Sequence, residues 1–184
     1  MATTPTKLSP ALAALHKELA IPADYAASCG LPMYEEPAEL ASIGVDLEGR
    51  ERFLDARVAP QWRAMCAAAA RANFCLQVVS AFRSIDYQAD LFRHKRARGQ
   101  TTAEVLCVNA APGFSEHHSG RALDLTAPGY AALAEAFEAS PEFGWLTENA
   151  GEFGFAMTYP RDNPWGIDYE PWHWCARDAV ELPS

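Results

Sequence analysis

Three of the five histidines in this 184-residue chain fall in two short segments, SEHHSGRALD at 115–124 and YEPWHW at 169–174. In the first, His117 and Asp124 stand seven positions apart with Gly120 between them. A loop ending in a histidine, a turn at the glycine and a strand carrying the aspartate bring an imidazole and a carboxylate to one point. In the second, Glu170 and His173 are three positions apart, with Pro171 between. Two imidazoles and one carboxylate make a three-ligand set for catalytic zinc that leaves the fourth position open to water. Glu170 is then the spare carboxylate that such a site needs as general base. Either segment alone is short enough to arise by chance. Each supplies what the other lacks, so a fold that uses them has to bring both to one place.

The length fits one domain, with at most a short extension. Hydrophobic residues at 49% and charged residues at 21% describe a chain able to bury a core. Fifteen basic residues against 24 acidic ones, a net charge of −9, argue against a surface that neutralises phosphates or adheres to anionic lipid. No nucleic acid and no membrane is therefore expected as a partner, and a monomer is expected. The most apolar stretch, 67–79, is broken by Arg71, Asn73 and Gln77 and is too short to span a bilayer. Near the N-terminus His16, Lys17 and Glu18 interrupt the apolar residues and no secretory signal is legible. A cytoplasmic location is the expectation, unless a signal was removed or export is non-classical. Five cysteines without a C-x-x-C spacing exclude a zinc ribbon or a thioredoxin-type motif and read as free thiols.

Along the chain, Ser9-Pro10 predicts a helix start, with Leu12, Leu15 and Leu19 at helical spacing. Residues 21–45, with Pro22, Pro32, Pro37, Gly30 and Gly44, read as an irregular arm. Helices are predicted over 58–73, 84–96, 102–108, 130–139 and 141–150. Strands are predicted over 74–82, 121–126 (with one wet face), 153–159 and 169–175. The expectation is α+β: a small antiparallel sheet flanked by helices. Residues 1–50 are expected as an N-terminal helix and arm, serving as a lid or as packing, and 51–184 as the catalytic domain.

SEHHSGRALD resembles the S-x-H-x-x-G-x-A-x-D segment, and EPWH the E-x-W-H segment, of the zinc D-alanyl-D-alanine carboxypeptidase family, which includes the VanY-like carboxypeptidases and the related dipeptidases of vancomycin resistance. SAFRSIDYQ at 80–88 and WLTENAGEFGF at 145–155 are similar to two further segments of that family, in the same order. The resemblance implies the small zinc-peptidase fold shared with hedgehog-type domains. It implies zinc held by His117, Asp124 and His173, with Glu170 as base and Arg83 steadying the oxyanion. Ser115 and Gln88 are implied as substrate contacts, and Trp172 is assigned to the wall of the substrate pocket. His118 departs from the family pattern and competes as a ligand, but the spacing to Gly120 and Asp124 favours His117. Cys175 shares a strand face with His173 and reads as a packed thiol. The implied reaction is direct hydrolysis of peptidoglycan stem peptides or muropeptides, releasing C-terminal D-alanine from a D,D- or L,D-linkage. The alternatives are an L-alanyl-D-glutamate endopeptidase, a D,D-dipeptidase and, from another class, a non-catalytic zinc-containing binding domain.

Overall fold

Ser9 and Pro10 start helix α1 (Pro10–Glu18): the Ser9 hydroxyl accepts the Leu12 N–H at 3.2 Å, and the proline sits in the first turn, where its missing N–H costs nothing. The computed structural model describes residues 7–177. After α1 come a single helical turn, α2 (Tyr25–Ser28), and an extended run leading to β1 (Leu40–Val45). β1 pairs antiparallel with β2 (Glu51–Asp55) in a two-stranded sheet. The turn between them is organised by Asp46, whose carboxylate accepts the N–H groups of Glu48 at 2.8 Å and Arg50 at 3.0 Å. It also accepts from Nε of Arg50 at 2.9 Å and of Arg52 at 2.8 Å. The structure thus corrects the irregular reading of 21–45. The strand signal there lies in an Asx turn just beyond Val45, not in apolar alternation. The hairpin straddles residue 50.

Helix α3 (Ala59–Arg71) buries Trp62, Met65 and Ala69 at helical spacing. Strand β3 (Gln77–Ser80) leads to α4 (Ile85–Ala97), capped by Ser84, whose hydroxyl accepts the Tyr87 N–H at 3.0 Å. Helix α5 (Thr102–Cys107) opens with a capping box between Thr101 and Glu104. A 3₁₀ turn, Glu116–Ser119, precedes β4 (Ala122–Thr126). Helix α6 (Pro141–Asn149) and the short strands β5 (Phe155–Met157) and β6 (His173–Ala176) complete the described residues. The main sheet has four antiparallel strands in the order β3-β4-β6-β5, and the architecture is α+β.

Two expectations need correction. Residues 130–139 form no α-helix; a 3₁₀ turn covers Glu135–Ala139, and Leu133 adopts a left-handed φ of 54°. Pro141 holds Ser140 extended, so a helix has to stop before it. β4 has no wet face, because all five of its residues are buried. Leu123 and Leu125 pack into one cluster with Trp62, Met65, Phe137, Leu146, Phe155 and Trp174. The opposite face of β4 carries Asp124, and a separate cluster joins Leu19, Ile21, Tyr25 and Leu31 of the N-terminal arm to Phe92, Val105, Phe114 and Tyr159. The site described below lies on that opposite face. Among the described residues no helix is long and apolar enough to cross a membrane.

Candidate active site

Strand pairing assembles the centre. Asp124 on β4 is the direct partner of His173 on β6, and period-two alternation turns both away from the Leu123 and Trp174 cluster. His117 arrives from the 3₁₀ turn ahead of β4, which ends at Gly120 with φ 64°. Gly120 is required there twice over: the backbone is left-handed, and a Cβ would stand 2.7 Å from the backbone nitrogen of Asp55. The Asp55 N–H also donates to the Gly120 carbonyl at 2.8 Å, so the hairpin clamps the turn.

The donor atoms of His117, Asp124 and His173 all lie within 4.8 Å of one another, and all three side chains are buried. His117 donates Nδ1–H to the Ala81 carbonyl at 2.6 Å, which leaves Nε2 as a lone pair 3.2 Å from Asp124 Oδ2. That Nε2 is buried and without a hydrogen-bond partner. His173 faces Asp124 Oδ1 through Nδ1 at 3.1 Å and Glu116 Oε2 through Nε2 at 2.9 Å. A bare buried imidazole nitrogen beside a second imidazole and a carboxylate is a donor set that fits a divalent cation of the zinc type. Burial, with Arg83 nearby, lowers the His117 pKa to about 4, so its lone pair stays available at neutral pH. Against the cost of burial, His117, His173 and Arg83 keep the Asp124 carboxyl well below the usual range.

Glu170 stands beside this set, its Oε2 at 3.8 Å from His173 Nδ1. Burial raises its pKa to about 7, against the pull of His173. Arg83 lies on the other side, 3.9 Å from Asp124 Oδ2, with its Nε buried and unpartnered. A small cavity is lined by Arg83, Gln88, Ser115, His117, Glu170 and His173, with Val108, Asn109, Tyr159 and Ile167 among its walls. Gln88 donates to the Ala110 carbonyl at 2.9 Å, and its Oε1 is buried without a partner.

Six of the eight residues singled out in the sequence therefore line one cavity, and a seventh, Asp124, joins them through the donor set. Trp172 does not: its half-buried side chain packs against the Leu123 and Trp174 cluster and is absent from the cavity wall. Ahead of β6 it lies at a position of Trp174 parity, on the face opposite His173. His118 is no ligand either. Its Nδ1–H donates to the Arg83 carbonyl at 2.7 Å and its Nε2 accepts the Gly113 N–H at 3.1 Å, so both nitrogens are used. Cys175 is a buried free thiol outside the donor set. Sequence reasoning missed Tyr159, whose ring lies 4.7 Å from that of His173, and Glu116. Glu116 was in view one position before His117, but only the fold shows it behind His173.

The chain is similar to known proteins. A family model described as VanY, D-alanyl-D-alanine carboxypeptidase, matches residues 51–176. A D-alanyl-D-alanine carboxypeptidase of Enterococcus faecalis is 30% identical over 146 residues, 73% of this chain. The chain spans 53% of that relative's length and 58% of that of a Bacillus subtilis relative, also 30% identical. Among solved structures, the LdcB LD-carboxypeptidase superposes with a TM-score of 0.69 at 29% identity, over 79% of this chain and 71% of that one. A variant of the D,D-pentapeptidase VanY from a VanB-type resistance cassette, in complex with Zn(II), superposes with a TM-score of 0.58 at 28% identity, over 77% of this chain and 82% of that one.

Proposed function

This chain belongs to the VanY family of D-alanyl-D-alanine carboxypeptidases, and on that premise we propose that it is a zinc-dependent carboxypeptidase that releases C-terminal D-alanine from peptidoglycan stem peptides. The observation that carries this reading is the meeting of the His117, Asp124 and His173 donor atoms with Glu170 and Arg83 around one small cavity. The zinc in the VanY relative and the bare His117 Nε2 support zinc as the cation. His117, Asp124 and His173 would hold it, and it would supply a Lewis acid to polarise the scissile carbonyl and ease deprotonation of water.

The chain's own residues supply the rest. Glu170, raised towards neutrality by burial, takes a proton from the attacking water and passes it to the leaving amine nitrogen as the C–N bond breaks. Arg83 brings a fixed positive charge to the oxygen on which negative charge develops, and its unpartnered Nε is free to donate. Ser115 and Gln88 line the same cavity and serve the terminal carboxylate and amide of the substrate. In this reading residues 51–184 carry the catalysis.

The test is to incubate the zinc-loaded protein and its Glu170→Ala variant with synthetic penta- and tetrapeptide stems and to identify products by mass spectrometry. Loss of one D-alanine with wild type alone supports the proposal, and the preferred stem separates D,D- from L,D-activity. Cleavage between L-alanine and D-glutamate replaces it with the endopeptidase reading. Intact stems in both samples, with zinc retained, replace it with a binding domain.

A further inference from the structure

Glu116 takes no part in the steps above, yet its carboxylate is nearly buried, with 11% of the side chain exposed. Oε2 lies 2.9 Å from His173 Nε2, the ring nitrogen opposite the one that faces Asp124. Oε1 accepts the Tyr34 hydroxyl at 3.3 Å. A buried carboxylate held at both oxygens has one orientation, because turning away leaves polar groups on both sides unpaired. A metal-binding imidazole offers one nitrogen to the ion, and the partner of its other nitrogen decides which one that is.

Tyr34 lies outside the matched residues 51–176. The arm delivers it through a series of contacts to one loop. The Tyr34 N–H donates to the Gly113 carbonyl at 2.9 Å, and His16 Nε2 donates to the Pro112 carbonyl at 2.8 Å. The Tyr25 hydroxyl accepts the Ala111 N–H at 3.1 Å. Leu12 packs so closely on Gly113, itself at φ 89°, that a Cβ there would stand 2.7 Å from its Cδ2. Residues 12–34 thus grip 111–113, immediately ahead of Ser115 and His117.

We propose that Glu116 is a positioning residue: it holds the proton of His173 on Nε2 and so presents Nδ1 as the ligand atom, while Tyr34 of the N-terminal arm holds Glu116 in place. The arm is then a working part of the metal centre. This inference rests on the reading of His173 as a ligand.

The test uses the full chain with zinc alone as probe. Competition with a chromophoric chelator gives the dissociation constant, and long-range proton–nitrogen NMR of histidine-labelled, zinc-loaded protein shows which nitrogen of His173 carries the proton. Glu116→Ala is expected to weaken zinc about 10- to 100-fold and to lose the protected Nε2–H signal. Glu116→Gln, which keeps an acceptor, restores the signal and most of the affinity. Tyr34→Phe, which keeps the ring, weakens zinc by a smaller factor. Should Glu116→Ala not fold, Glu116→Asp, one methylene too short to reach, takes its place with the same expected loss. Unchanged affinity and an unchanged Nε2–H signal in the Glu116 variants overturn the proposal, and so does a Gln variant as weak as Ala. An unchanged Tyr34→Phe removes the arm from it. If instead His173→Ala binds zinc as tightly as wild type, the ligand reading itself fails, and the two failures are told apart.

Discussion

His118 donates its Nδ1–H to the backbone carbonyl of Arg83 at 2.7 Å, so the histidine next to His117 anchors the loop that carries the guanidinium and stays outside the donor set. With Nε2 engaged by the Gly113 N–H, it joins two loops that border the cavity. Replacing it by alanine leaves two buried backbone groups unpaired, at a cost of roughly 2–4 kcal/mol. His118→Ala is expected to keep zinc affinity within a few-fold of wild type while losing stability, whereas His117→Ala loses zinc. Chelator competition and urea unfolding on the same preparations check both; a His118→Ala protein that cannot hold zinc would reverse the assignment.

Arg83 is the residue placed to meet developing negative charge. Arg83→Ala is expected to lower kcat by about 10²–10³-fold, the usual loss on removing one oxyanion donor, with zinc content unchanged. Arg83→Lys restores little, since an ammonium cannot reproduce the donor geometry of the fork. Steady-state kinetics on a stem peptide, with metal analysis, decides; a change in KM alone moves Arg83 from oxyanion stabilisation to ground-state binding.

Glu170 gives a pH dependence with a definite sign. Its pKa is raised from 4.5 to about 7 in the fold, so the folded state binds the proton more tightly than the unfolded chain. The destabilising effect is absent below about 4.5, grows as pH rises to about 7, and is complete above it. In zinc-free protein Glu170→Gln is therefore expected to gain stability at pH 8, on the order of 3 kcal/mol, and none at pH 4. Denaturant unfolding at the two pH values with chelator present measures this; equal effects at both would dismiss burial as the cause. In zinc-loaded enzyme the cation's charge pulls the carboxyl down, so the acid limb of activity falls below pH 7.

Gly120→Ala tests the turn that delivers His117. The left-handed φ of 64° and the 2.7 Å approach to the Asp55 nitrogen both oppose a Cβ. The expected loss is about 2–5 kcal/mol, with weakened zinc binding because the turn and the ligand share a backbone. Thermal unfolding followed by metal titration checks it, and a protein of wild-type stability would mean that Asp55 shifts freely.

Much of the site was legible in the chain. His117, Asp124, Glu170 and His173 announced themselves because a metal needs particular donor atoms, and Gly120 because the turn between them needs a left-handed residue. The cap at Ser9, the face of α3 and the parity of Cys175 with His173 followed from local chemistry and periodicity. These are properties of neighbours in sequence.

What only the tertiary structure decided are relations between residues far apart in the chain. That His118 has no ring nitrogen to spare depends on the Arg83 carbonyl, 35 residues earlier, and on the Gly113 N–H, which together engage both. The dry second face of β4 and the exile of Trp172 both depend on the pairing of β6 with β4. Glu116 acquires its place from Tyr34, 82 residues earlier, and from His173, 57 later. Donor chemistry and turn geometry are written residue by residue, but a hydrogen-bond partner or a buried face exists only once the chain has closed on itself.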